Sequence, residues 1–376
     1  MPRALPVLKI ASGRSLWRFG CAALIACGIP AASAADQEHS TGNKAVECPE
    51  SGGPLVSLGL PGGALRAVIA PAHGGELVSL VLRTAKGPRE LLYRALDFCN
   101  RPGWEGKAPV LWPATGRNFA VDPAKLPAGT PITAAFGWTW RGERKDMPIH
   151  GFARTQVWHL DMQSRTGGQR TARVSLDDSP QTRAAYPFGF HHTITYTVSG
   201  SDLTVRHDIT AARDNLGPMP FSIGNHLTLD TTTLRGSTER PILLSTRASR
   251  RQETDRFGRP LGRMRRQHSL CETPLAEFGR DVATSLGGYT AGGATVTVRA
   301  PTGILVTVAQ QRLPGARPDA IRFNLWGDPD AGYFAIEPWY GRQNSLADGS
   351  GIVLLKPGQH FQWSFSVSAR EVRPRD

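Results

Sequence analysis

The 376-residue chain lacks most of the local signatures that mark reactive sites. It contains no Cys-x-x-Cys pair, which removes support for a zinc site or a dithiol redox centre. It has no G-x-S-x-G elbow, G-x-x-x-x-G-K-[ST] loop, H-E-x-x-H helix or G-x-G-x-x-G turn, so the chemistries built on those motifs have no foothold. No apolar run reaches the roughly 18 residues needed to span a bilayer. Internal repeats and low-complexity linkers are absent, and no sustained i, i+3, i+4, i+7 pattern marks a long helix. Acids are scarce beside bases, at 31 Asp and Glu against 44 Lys and Arg. The bases do not alternate with aromatics as a nucleic-acid groove requires, so nucleic acid is not an expected partner.

At the N-terminus, Arg3, Lys9, Arg14 and Arg18 accompany an apolar stretch from Phe19 to Ile29 and the small-residue site Ala32-Ser33-Ala34. That order is an export signal over residues 1–34, and the expected location is the periplasm. Leu24-Ile25-Ala26-Cys27 also resembles a lipobox, in which Cys27 would carry a lipid and anchor the protein to the cell envelope. Cleavage after Ala34 removes four bases and no acid, leaving 342 residues at a net charge of +9. Residues 35–54 read as a polar leader and 55–376 as a single domain. Three cysteines then remain, Cys48, Cys99 and Cys271, which permit at most one internal disulfide. Cys48 with Cys99 is the pair to test first. The sequence sets no oligomeric state.

Strand signals dominate the rest. Phe361, Trp363, Phe365 and Val367 alternate with polar neighbours, which puts all four on one face of a strand. Thr193 to Val198, the four-residue loop Ser199-Gly200-Ser201-Asp202, and Leu203 to Arg206 read as a hairpin. Ala294 to Arg299 and Ile304 to Val308, joined through Pro301-Thr302-Gly303, make a second. The 41 Gly and 29 Pro supply the turns that many short strands need. The expected fold is all-β, a large antiparallel two-sheet sandwich. The Arg-rich stretch from Arg247 to Arg266 reads as a solvated excursion between strands, or as a rim that attracts anionic substrate.

Acid–base chemistry is what the residues leave open. Three segments embed a titratable group in apolar company: Met147-Pro148-Ile149-His150-Gly151-Phe152-Ala153-Arg154, Phe221-Ser222-Ile223-Gly224-Asn225-His226-Leu227 and Tyr333-Phe334-Ala335-Ile336-Glu337-Pro338-Trp339. Desolvation by Phe334, Ile336 and Trp339 would raise the Glu337 pKa toward the range of a useful base, and Pro338 biases Glu337 to an extended backbone. Otherwise Glu337 is a strand-end carboxylate paired with a distant Arg. His226, with Gly224 allowing close backbone approach, suits an acid that protonates an oxygen; it and His150 are otherwise core histidines bonded to backbone. His191, His192 and His207 lie in the hairpin strands and read as structural.

Taken together, these segments resemble the galactose mutarotase-like family of aldose 1-epimerases. The resemblance runs from about residue 55 to 370. It is carried in order by Gly74-Gly75-Glu76-Leu77-Val78-Ser79-Leu80, Lys107-Ala108-Pro109-Val110-Leu111-Trp112-Pro113-Ala114-Thr115-Gly116-Arg117-Asn118, and His150 to Arg154 with Trp158. Tyr186-Pro187-Phe188-Gly189-Phe190, Met219-Pro220-Phe221-Ser222 with His226, Ile336-Glu337-Pro338-Trp339 and Leu355-Lys356-Pro357-Gly358 complete it. The resemblance implies a β-supersandwich with an open cleft and a sugar, or the reducing end of an oligosaccharide, as substrate. It implies that Glu337 removes the C1 hydroxyl proton while His226 protonates the ring oxygen, so that the ring opens and recloses as the other anomer. It requires no cofactor and no metal. Arg117 and His150 match positions that hold sugar oxygens, and His150 also shares in ring-oxygen protonation; Asn118 offers a polar contact and Trp326 a stacking platform.

Two departures qualify the substrate. The family's Asp that holds sugar hydroxyls has no counterpart in Ser285-Leu286-Gly287-Gly288-Tyr289, and Asp281 nearby does not align. His150 to Arg154 with Trp158 is similar to the hexose-6-phosphate epimerase branch, whereas Gly116-Arg117-Asn118 is similar to the free-sugar branch. The alternatives are a non-catalytic carbohydrate-binding protein of the envelope, or an enzyme for a phosphorylated or otherwise modified sugar on the same scaffold.

Overall fold

Side-chain alternation along the last strand builds the core. In His360–Glu371, Trp363, Phe365, Val367 and Ala369 are buried while Ser366 and Ser368 are half-buried. The computed structural model describes residues 54–93, 108–278, 282–290, 293–311 and 319–373, all within one unit, Ala45–Asp376. The expected export signal with Cys27, nearly all of the expected leader, Cys48, Cys99, Lys107 and Asp281 lie outside the described residues. Cys271 is exposed and free. No helix among the described residues is long and apolar enough to cross a membrane.

His360–Glu371 is the middle of a nine-stranded antiparallel sheet. On one side lie Asp202–Ala211, Phe190–Ser199, Gln169–Asp177 and His159–Thr166. On the other lie Ile304–Gln310, Ala294–Arg299, Leu243–Thr246 and Leu270–Pro274. Both expected hairpins form, but the first turns more tightly than its sequence suggests. Ser199 pairs with Asp202, leaving a two-residue turn in which Gly200 sits at φ 61°, a conformation that needs no Cβ.

A second, eight-stranded antiparallel sheet carries the chemistry. Its strands are β1 (Val110–Leu111), β2 (Ile223–Asn225), β3 (Leu227–Asp230), β4 (Arg250–Thr254), β5 (Pro260–Arg266), β6 (Thr284–Gly287), β7 (Ile321–Asp328) and β8 (Tyr333–Tyr340). The spatial order is β5-β4-β6-β7-β8-β2-β1, with β3 also pairing β8. The Arg-rich stretch is therefore no excursion: it forms the edge hairpin β4–β5, with Arg250 and Arg251 exposed. Charge on an edge strand discourages further pairing.

The two sheets close on one core. Phe323 and Leu325 of β7 and Phe334, Ile336 and Tyr340 of β8 share a hydrophobic cluster with Trp363, Phe365 and Val367. A four-stranded sheet (Val56–Gly59, Leu65–Ala70, Glu76–Thr84, Gly87–Glu90) adds Leu58, Leu65, Ile69 and Leu80 to it. Each such aromatic or aliphatic burial contributes about 1.5–3 kcal/mol. The described helices are short, the longest being Pro180–Ala185. The fold is the expected large antiparallel β-sandwich. Alternation sends every second residue of β7 and β8 to the opposite face, and that face holds the polar groups.

Candidate active site

Proline chemistry creates the site. β2 and β3 run antiparallel to β8 in one register, with Gly224 opposite Trp339 and Leu227 opposite Ile336. Continued between them, that register sets Asn225 against Pro338 and His226 against Glu337. Pro338 has no N–H to contribute, so the ladder breaks there. The His226 N–H turns away to the Pro109 carbonyl at 3.1 Å. Asn225 projects to the core side, where its Oδ1 lies 3.0 Å from His207 Nε2. His226 and Glu337 project to the other side.

Both are almost fully buried, and His226 Nε2 stands 3.7 Å from Glu337 Oε1. That separation is too long for a hydrogen bond. The remaining polar atom of each is already held: His226 Nδ1 lies 3.0 Å from Thr228 Oγ1, and Trp339 Nε1 donates to Glu337 Oε2 at 3.1 Å. Trp339 reaches that position because Gly224 has no side chain; a Cβ there would lie 2.5 Å from the indole Cδ1. Two polar ends thus face each other across a short gap.

His150 completes a triangle. Its ring lies edge-on to that of His226, with centroids 5.6 Å apart. Its backbone is left-handed at φ 66°, a strained conformation for a non-glycine residue. Reciprocal bonds hold it: the His150 N–H donates to the Gly116 carbonyl at 2.9 Å, and the Gly116 N–H donates to His150 Nδ1 at 3.1 Å. Because Nδ1 accepts, a neutral His150 carries its proton on Nε2.

Burial dominates the electrostatics. It pushes the Glu337 carboxyl well above the usual carboxylate range, an effect that the Trp339 hydrogen bond opposes. It pushes His226 down to about 3, helped by the charge of Arg154. His150 is held well below the usual histidine range by burial, and further by His226, Arg154 and Arg117. Burial thus favours the neutral form of each group over an ion pair between them. The rise at Glu337 agrees in direction with the desolvation expected from its apolar neighbours.

His150, His226 and Glu337 each offer one atom within 4.8 Å of the others, a spacing that suits a metal ion. The donor set does not. A ligating imidazole nitrogen needs a free lone pair while the other nitrogen carries a proton to donate. His150 Nδ1 accepts a backbone N–H, so its Nε2 is a donor rather than a ligand.

The other expected residues divide. Arg117 is close enough to His150 to depress its pKa; its Nη1 donates to the Phe257 carbonyl at 3.1 Å, in the turn of the β4–β5 hairpin. Burial lowers the Arg117 pKa in turn. Trp326 is half-buried on the cleft face of β7, its ring 6.1 Å from that of His226. Asn118 is fully buried, and its Oδ1 accepts the Leu346 N–H at 2.9 Å. Asn118 makes no hydrogen bond or ring contact with the triangle. His192 and His207 are buried between the sheets, and His191 is exposed beside Asp177.

With that geometry in view, the comparisons with known proteins are direct. The sequence model of the aldose 1-epimerase family matches residues 54–232, a segment that includes Arg117, Asn118, His150 and His226. The fold is galactose mutarotase-like. A galactose mutarotase related enzyme from Lactobacillus acidophilus superposes with a TM-score of 0.65 at 23% identity, covering 85% of this chain and 100% of its own. A galactose mutarotase-like protein from Clostridium acetobutylicum gives a TM-score of 0.65 at 17% identity, covering 85% and 99%. An aldose epimerase homologue from C. elegans gives 0.63 at 18% identity, covering 85% and 100%. No curated protein matches the sequence.

Two residues of this mutarotase-like cleft escape a reading of the sequence. Asn324 on β7 lies opposite Glu337 in register, is 3% exposed, and its Nδ2 has no hydrogen-bond partner. Arg322, two residues earlier, shares that face. The alternation Ile321-Arg322-Phe323-Asn324-Leu325 sets both opposite the core, but only the register of Asn324 against Glu337 identifies that face as the one carrying the candidate site.

Proposed function

We propose that the chain is an aldose 1-epimerase that interconverts the α and β anomers of an aldose. The observation that carries this reading is the buried His226–Glu337 pair, opposed in register with Nε2 and Oε1 3.7 Å apart. Entering sugar hydroxyls, with the Trp339 N–H, supply the donors that let Glu337 ionise and His226 take up the shared proton. Glu337 then removes the O1 proton while His226 protonates O5; the C1–O5 bond breaks and C1=O1 forms. Rotation about C1–C2 and return of both protons closes the ring on the other face of C1. Once the ring is open, Glu337 is protonated and His226 neutral again, the state that burial favours. The cleft's electrostatics thereby assist ring opening rather than tighter binding of the cyclic sugar.

His150 Nε2–H and Arg117 are donors for sugar oxygens, and Trp326 is the stacking face. The export signal expected over residues 1–34 supports a periplasmic location for this reaction. N-terminal sequencing of exported protein distinguishes a start at Ala35 from lipidation at Cys27.

Polarimetry tests the activity: catalysed decay of the rotation of a pure α-anomer is expected. Sugar binding with no rate enhancement on any aldose would replace the enzyme by a carbohydrate-binding protein.

A further inference from the structure

Arg322 is 5% exposed, as deeply buried as the acid–base pair, and lies on the same face of the sheet. Two neighbouring cations are matched by carboxylates: Arg259 by Asp255 at 2.6 Å and Asp122 at 2.8 Å, Arg342 by Asp348 at 3.0 Å. Among the described residues Arg322 has no such partner. Its Nη1 reaches Gln252 Oε1 at a marginal 3.5 Å, its Nε has no acceptor, and the exposed Asp319 acts on it only at a distance. An unpaired guanidinium removed from water is an expensive arrangement. Beside it, the Nδ2 of Asn324 also lacks an acceptor. The patch presents N–H donors, and what satisfies several donors at once is a group with acceptor oxygens and negative charge.

Position agrees with charge. Gln252 pairs with Ser285, Ser285 with Asn324, and Asn324 with Glu337, so the polar row crosses four strands. With strands about 4.8 Å apart, a guanidinium directed toward Gln252 stands roughly 10–14 Å from Glu337. A pyranose carrying an exocyclic acid spans about 6–7 Å, and a hydrogen bond of about 3 Å at each end closes that distance.

We propose that Arg322, assisted by Asn324, forms an anion subsite, so that the aldose turned over at Glu337 bears a carboxylate or phosphate remote from C1. This rests on the epimerase reading for its chemistry but not for its binding. The test compares the anomerisation kcat/KM of D-glucose and D-galactose with that of the matching hexuronates and of glucose 6-phosphate, in the wild type and in Arg322→Gln. The wild type is expected to favour an acid over its neutral counterpart by about tenfold to a hundredfold, and Arg322→Gln to bring that ratio near one, chiefly through KM. Preference for the hexuronate alone identifies a carboxylate site; preference for the phosphate alone identifies a phosphate site. Equal or better use of neutral sugars by the wild type overturns the proposal whether or not the variant folds. So does a variant that loses acid and neutral substrates by the same factor. Calorimetry in Glu337→Gln separates the two readings: acid-selective binding without turnover of any sugar by the wild type retains the subsite and removes the epimerase.

Discussion

Asn225 and His226 are neighbours in sequence and point to opposite faces of one sheet. On the core side, Asn225 Oδ1 meets His207 Nε2 at 3.0 Å, and His207 Nδ1 meets His192 Nε2 at 3.1 Å. On the cleft side, His226 faces Glu337 across 3.7 Å with no hydrogen bond between them. Burial depresses His207 to about 3, just as it does His226. A perturbed pKa therefore does not separate the two clusters; the disposition of their hydrogen bonds does. Around His207 the bonds run in one direction: Asn225 accepts from His207 Nε2–H, and His207 Nδ1 accepts from His192 Nε2–H. His192 Nδ1, at the end of that chain, is buried without a partner. On the other face, His226 Nε2 and Glu337 Oε1 stand 3.7 Å apart, two titratable groups opposed without a hydrogen bond between them. The first cluster ties the sheets together, and the second is the one to which the proposed mechanism assigns proton exchange.

The largest expected effect breaks the cleft side alone. Glu337→Gln should lower kcat by about 10²–10⁴. Its melting temperature above pH 7 should not fall, because the mutation removes a carboxyl whose ionisation is opposed by burial. A variant with near-normal polarimetric rates would remove Glu337 from the mechanism.

The complementary break is His207→Leu. Stranding Asn225 and His192 without partners should cost about 2–4 kcal/mol in denaturant unfolding. Turnover per folded molecule should stay within a few-fold of wild type. Loss of activity as severe as in Glu337→Gln would mean that the two clusters act as one.

Acid sharpens the contrast. The folded pKa of His207 is about 3 against an ordinary value of 6.5, so its contribution to stability is complete above pH 6.5 and is lost as pH falls from there toward 3. Within that window His207→Leu should reduce the pH dependence of unfolding free energy by ~1.4 kcal/mol per pH unit relative to wild type. Chemical denaturation at pH 7, 6 and 5 measures it, and parallel curves would refute the buried neutral state.

The smallest effect concerns orientation. Thr228→Val removes the hydroxyl 3.0 Å from His226 Nδ1. A drop of about tenfold in kcat with KM and stability little changed is expected, and Thr228→Ser should restore most of it.

Much of this was legible before any tertiary contact was known. Alternation at Phe361, Trp363, Phe365 and Val367 identified a half-buried strand, because a two-residue period has few other physical meanings. Apolar neighbours around Glu337 predicted the direction of its pKa, because desolvation is largely a local property. The hairpin turn at Gly200-Ser201 was placed correctly but read two residues too long, since pairing continues into Ser199 and Asp202 without any apolar signal. The stretch from Arg247 to Arg266 was hidden because an edge hairpin rich in arginine has a composition close to that of a loop.

The amino-acid sequence by itself determined the β architecture, the export signal as an expectation, and the identities of the acid–base candidates, all of which depend on short-range pattern. Tertiary structure decided how deeply the titratable groups are buried and which polar residues share a face with Glu337 and which do not. Those depend on register between strands far apart in sequence. Gly224 clears the space for Trp339, Pro338 breaks the ladder beside His226, and β7 brings Asn324 and Arg322 to the face of Glu337. Asn118, beside Arg117 in the chain, is tied instead to the Leu346 backbone. Hydrogen bonds and low dielectric act through space, and the folded sheet sets those distances.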